Sequence, residues 1–100
     1  MTAKTSTKRT RAADCEALEQ LPNIGPAAAA DLRLLGIHHP AELRMQDALT
    51  LYQSLCRQTG QRHDPCVLDT FMAAVDFMQG APAKPWWDYT AQRKREYPDI

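Results

Sequence analysis

Two prolines four positions apart, Pro22 and Pro26, with Gly25 before the second, constrain the first third of this chain more than any other feature. The run Pro22-Asn23-Ile24-Gly25 breaks whatever helix precedes it. Pro26 suits the first position of a new helix, where its missing N–H costs nothing. The segment 27–35 that follows is rich in alanine and leucine, both strong helix formers. Gly36 ends it as a left-handed residue, and Ile37 is placed to fold back on Leu32. Asp14 reads as the N-cap of a short first helix carrying Leu18 and Leu21. The prediction is two short helices joined by a tight turn over residues 16–36.

The rest of the chain is punctuated in the same way. Pro40 opens a short turn of helix through Met45. A longer helix is expected over 47–58, where Leu49, Tyr52 and Cys56 fall on one face and Leu51 and Leu55 widen it. Thr59-Gly60 stops that helix, and Asp64-Pro65 starts the next, over 65–79. There Leu68, Phe71, Val75 and Met78 recur at three- and four-residue steps. Gly80 ends it, and a last helix is expected over 86–95, before Pro98. No segment alternates like a strand. The fold class predicted is all-α: a single compact bundle of five or six short helices over 13–97, preceded by a disordered basic arm at 1–12.

Length and charge narrow the function classes. One hundred residues allow one domain with a modest core and little to spare for an elaborate active site. No apolar run approaches the roughly 18 residues of a membrane span. The N-terminus is basic with no apolar stretch behind it, which does not fit a secretory signal, so a cytoplasmic location is expected. Three cysteines, Cys15, Cys56 and Cys66, an odd count, argue against a disulfide framework. The net charge of zero hides an asymmetry. Residues 1–11 carry Lys4, Lys8, Arg9 and Arg11 and no acid, whereas residues 12–90 carry ten acids against five bases. A dedicated DNA-binding domain usually has a basic body, and this body is mildly acidic. The basic arm reads either as a solvated tail or as a segment that tracks phosphates.

The turn at 21–26 is the informative site. Gly25 lets a backbone approach with no side chain in the way, and the small residues at 27–30 let helices or a phosphate come close. The first N–H groups of the second helix have no partner inside it and sit at the positive end of its dipole, a ready anion site. On Leu21-Pro22-Asn23-Ile24-Gly25 and the residues around it, 18–37, the chain resembles the helix-hairpin-helix family of DNA polymerases, ligases and glycosylases. That resemblance implies backbone amides of Gly25, Ala27 and Ala28 binding one or two phosphates without reading sequence. It also implies a possible monovalent cation, K⁺ or Na⁺, on the carbonyls of Glu19, Leu21 and Ile24. The family's first hairpin glycine is Asn23 here. Asn tolerates left-handed geometry, so the turn survives, with a side chain where a phosphate would approach. Arg33 is a candidate to add charge from the second helix.

A wider resemblance covers nearly the whole chain. Leu32-Arg33-Leu34-Leu35-Gly36-Ile37, Pro40-Ala41-Glu42-Leu43, Leu51-Tyr52-Gln53-Ser54-Leu55-Cys56, Thr59-Gly60, Asp64-Pro65-Cys66-Val67-Leu68 and Lys84-Pro85-Trp86-Trp87 together resemble small bacterial proteins of the pathogenicity-locus or mitomycin-resistance type. The first half is also similar to the C-terminal domain of TfoX-type competence regulators. These resemblances imply the fold and bring no defined reaction.

The other chemistry-bearing residues have plainer readings beside functional ones. Cys56, His63 and Cys66 surround one turn, but their spacing lacks the close pairs of a zinc site. Core packing, a redox pair or a metal site remain as readings, in that order. His38-His39 before Pro40 suits a cap or surface role. No serine or cysteine has a base and an orienting third group beside it, so no enzyme is expected. Pro85-Trp86-Trp87-Asp88 is read as sealing one end of the core, with base stacking as the alternative. Arg93-Lys94-Arg95 reads as a solvated helix end. The segment 55–60 leading to Asp64-Pro65 is at most a degenerate second hairpin. The function expected is non-catalytic, sequence-independent DNA-backbone binding. The alternative is a protein–protein interaction module in which the hairpin only packs. Two phosphate contacts would give a salt slope of about −2 and a non-specific Kd of about 10⁻⁴ M.

Overall fold

The computed structural model describes residues 8–100, and among these the chain is helical and turn throughout, with no strand. Four α-helices carry the fold: α1 (Pro26–Leu34), α2 (Ala48–Thr59), α3 (Pro65–Met78) and α4 (Thr90–Glu96). Short 3₁₀ turns at Ala12–Asp14, Leu18–Gln20, Pro40–Met45 and Trp86–Tyr89 link them.

The boundaries follow local chemistry. Pro26 stands at the first position of α1. At its end Gly36 is left-handed, at φ 89°, and the Ile37 N–H donates to the Leu32 carbonyl at 2.9 Å. Both side chains are buried, completing the expected C-terminal motif. Asp47 caps α2 by accepting from the Thr50 N–H at 2.9 Å, and Asp64 caps α3 by accepting from the Cys66 N–H at 2.8 Å. His39 serves the Pro40–Met45 turn in the same way, its Nδ1 accepting from the Ala41 N–H.

Helix α3 is the centre of the molecule. Nine of its fourteen residues are buried, so it is apolar nearly all round, as a helix must be when neighbours cover several faces. Helix α2, the Pro40–Met45 turn, the Trp86–Tyr89 turn and α4 all pack on it. Leu18, Leu21, Ile24, Ala29 and Leu32 extend the same core under α1. No helix among the described residues is long and apolar enough to cross a membrane.

Four expectations differ from what is seen. Asp14 does not cap a helix; it ends the Ala12–Asp14 turn. The start of the Leu18–Gln20 turn is capped instead by the Gln20 side chain, its Oε1 accepting from the N–H groups of Glu16 and Ala17 at 2.7 and 3.0 Å. The segment before the turn is a three-residue 3₁₀ turn, Leu18–Gln20, rather than an α-helix. Leu21 precedes a proline and is extended, with ψ 143°, so no room exists for an i→i−4 bond. Of the predicted arm, residues 1–7 lie outside the described residues. Residues 8–12 are docked, because the Arg9 N–H donates to the Gln20 carbonyl at 2.9 Å and the Lys8 ammonium finds acceptors in the turn. The tryptophan pair does not seal the core as a unit. Trp87 is 61% exposed and Trp86 half-buried, packed edge-on at 5.6 Å; Tyr89, 5% exposed, is the aromatic that enters the core.

Candidate nucleic-acid interface

The turn hangs from two fully buried anchors, Leu21 and Ile24. Between them the chain reverses through Asn23, which is left-handed at φ 69°, and closes with the Ile24 N–H donating to the Leu21 carbonyl at 3.2 Å. Gly25 follows in an extended conformation, φ −94° and ψ −171°. That geometry does not demand glycine. A Cβ built there meets no atom within 4 Å, so Gly25 faces open space. What its missing side chain provides is access.

The first hydrogen bond of α1 runs from the Ala29 N–H to the Gly25 carbonyl at 2.9 Å. The N–H groups of Gly25, Ala27 and Ala28 lie ahead of it, so no helical carbonyl serves them. Pro26 contributes none, and no side chain caps the helix start. The three amides thus stand together at the positive end of the helix dipole. Pro26 and Ala27 are exposed and Ala28 is half-buried.

Asn23 does more than tolerate its φ. Its Nδ2 donates to the Lys84 carbonyl at 2.7 Å, and its Oδ1 accepts from the Trp86 N–H at 3.2 Å. The side chain is therefore turned onto the segment 84–86 and tethers it beside the turn. The backbone of the exposed Lys84 is held beside the turn by that clamp.

Arg33 is placed differently from the expectation of a charge offered to phosphate. Its guanidinium grips the Glu19 carboxylate with two bonds, at 2.8 and 2.9 Å, and both groups are solvent-exposed. The Arg33 bonds hold the Glu19 carboxyl below the usual carboxylate range. The pair ties α1 to the Leu18–Gln20 turn at the base of the structure.

The carbonyls of Glu19, Leu21 and Ile24 do converge on one point. What lies there is the Lys8 ammonium, which donates to them at 3.1, 2.8 and 2.5 Å. Burial pulls the Lys8 pKa down from its ordinary value, while the Glu19 carboxylate pushes the other way.

The remaining candidates are dispersed. Cys66 is half-buried, and burial together with Asp64 pushes its thiol up, the opposite of an activated nucleophile. The Cys56 sulfur accepts from the His63 N–H. Among the described residues no three His, Cys, Asp or Glu side chains are grouped to hold a metal ion. Of Arg93-Lys94-Arg95, only Lys94 and Arg95 are exposed; Arg93 is buried against Asp69.

The chain matches the family described as Pathogenicity locus over residues 11–95. It belongs to that family. Among curated proteins it is 47% identical over 78 residues to the mitomycin resistance protein McrB of Streptomyces lavendulae, covering 78% of this chain and 74% of that protein. No solved structure matches the chain. In this Pathogenicity locus protein the matched span takes in the 18–37 turn, the Asn23 clamp and the buried Asp69–Arg93 pair, and leaves Lys8 outside.

Sequence reasoning missed three features of the site. The sequence shows Lys8 only as arm charge, the Asn23 clamp spans 61 and 63 residues, and Arg93 reads as solvated although it is buried. A signal existed for one of them. Asp69 stands three and four residues before the buried Met72 and Ala73, on the apolar side of α3, where an acid needs a partner.

Proposed function

We propose that this protein is a non-catalytic binder of nucleic-acid backbone, DNA in the first instance, acting through a helix-hairpin-helix centred on residues 21–26. The observation that carries the reading is the trio of unserved, accessible N–H groups at Gly25, Ala27 and Ala28, with open space in front of Gly25. Such a trio donates to phosphate oxygens and ignores base identity, because no side chain reaches a base edge. The peptide joining Ile24 to Gly25 also accepts from the Lys8 ammonium on its oxygen, which polarises its N–H toward an anion. Arg33 is engaged by Glu19 and has no part in the proposal.

With one such hairpin and an acidic body, binding is weak, and it falls as salt screens the attraction between phosphate and the positive end of the helix dipole. The mitomycin resistance named for the relative supplies a biological setting for the same reading. The test is fluorescence anisotropy of labelled duplex and single-stranded DNA at low and moderate salt, with wild type and Gly25→Glu. The extended φ at Gly25 and the free space around it let the variant fold. Salt-sensitive binding that Gly25→Glu abolishes, with helicity unchanged by circular dichroism, supports the proposal. Equal binding by the variant, or none by wild type at low salt, refutes it.

A further inference from the structure

The three carbonyls of Glu19, Leu21 and Ile24 form a cradle of the kind that holds an alkali cation: neutral oxygens, converging, with no carboxylate oxygen among them. The residues present do not leave it to such a cation. An ammonium has three N–H donors and no acceptor, and the Lys8 Nζ has three carbonyl oxygens within 3.1 Å, one for each donor. The backbone N–H of the next residue, Arg9, is bonded to the Gln20 carbonyl at 2.9 Å, which fixes the stem of Lys8 alongside the same turn.

We infer that the Lys8 ammonium is a tethered replacement for a monovalent cation, so that the 18–25 turn is built without potassium or sodium. A covalently attached cation is present at a fixed local concentration and does not depend on the ions in solution. Carbonyls that converge on one point repel one another unless a positive charge lies between them. Removing the Lys8 charge therefore leaves a cradle that a free K⁺ or Na⁺ will enter. This inference concerns how the turn is held and stands whether or not the turn binds DNA.

The test uses the full chain and its melting temperature in choline chloride, NaCl and KCl at equal ionic strength. Wild type is expected to melt at the same temperature in all three. Lys8→Ala is expected to melt lower in choline and to regain on the order of 5 °C in KCl or NaCl. Ammonium chloride should restore it in the same way. Two results overturn the inference: a wild type stabilised by K⁺ or Na⁺ as much as the variant, or a variant that does not distinguish alkali cations from choline. Should Lys8→Ala fail to fold in every salt, thallium-205 NMR of wild type decides. Saturable Tl⁺ binding at the turn overturns the inference, and no saturable binding supports it.

Discussion

Replacing Asn23 separates two contributions that meet at one residue. The side chain makes two hydrogen bonds, to the Lys84 carbonyl and from the Trp86 N–H. Each contributes about 1 kcal/mol net, somewhat less where water competes. The backbone is left-handed at φ 69°, a conformation that glycine adopts freely and alanine only at a cost of about 1 kcal/mol. Asn23→Gly deletes both bonds and relieves the backbone, so it should destabilise by about 1 kcal/mol. Asn23→Ala deletes the bonds and adds strain, for about 2 kcal/mol. The difference between the two variants, about 1 kcal/mol, isolates the backbone term. Urea denaturation followed by circular dichroism measures each value, and Trp emission reports the release of the 84–86 segment. An Asn23→Gly protein as stable as wild type, with unchanged emission, would refute the clamp. Equal stabilities for the glycine and alanine variants would refute the backbone argument.

Two further outcomes follow from buried polar groups. Asp69 is fully buried and accepts from the Arg93 Nε at 2.9 Å and the Thr90 hydroxyl at 2.7 Å, locking α4 onto α3. Arg93→Met should cost about 3–5 kcal/mol by stranding the carboxylate, and Asp69→Leu in the same chain should recover much of it; denaturant midpoints of the single and double variants check both. Tyr89 is buried beside Asp76, and desolvation, then that acid, pushes its pKa up to about 12 from an ordinary value near 10. A raised folded pKa means that its contribution is whole below pH 10 and is lost as pH climbs toward 12, by on the order of 2 kcal/mol. Denaturation midpoints between pH 8 and pH 12 should fall over that window in wild type and fall less in Tyr89→Phe.

What was legible in the sequence was what is settled within a few residues. Pro26 at a helix start, Gly36 with Ile37 at its end, and the Asp64 cap all read directly, because cap and partner lie two to five positions apart. The helical periodicity of 65–79 placed the central helix for the same reason. The 3₁₀ turn at Leu18–Gln20 escaped, because leucine spacing does not say whether Pro22 leaves room for a full α-turn. The contacts that shape the site were invisible, since Lys8 reaches Ile24, Asn23 reaches Trp86 and Asp69 reaches Arg93 only once the chain has folded. A polar residue shows that it needs a partner and not which partner it gets. The two tryptophans mislead because size suggests burial, whereas Trp86 is only half-buried, Trp87 is exposed, and Tyr89 enters the core.

The most direct test of the account is amide NMR of the full chain titrated with a short DNA duplex at about 50 mM and about 200 mM salt. The N–H resonances of Gly25, Ala27 and Ala28 are expected to move most, to saturate at low salt, and to shift less at the higher salt. Shifts concentrated elsewhere on the surface, or none at these three amides, would contradict it.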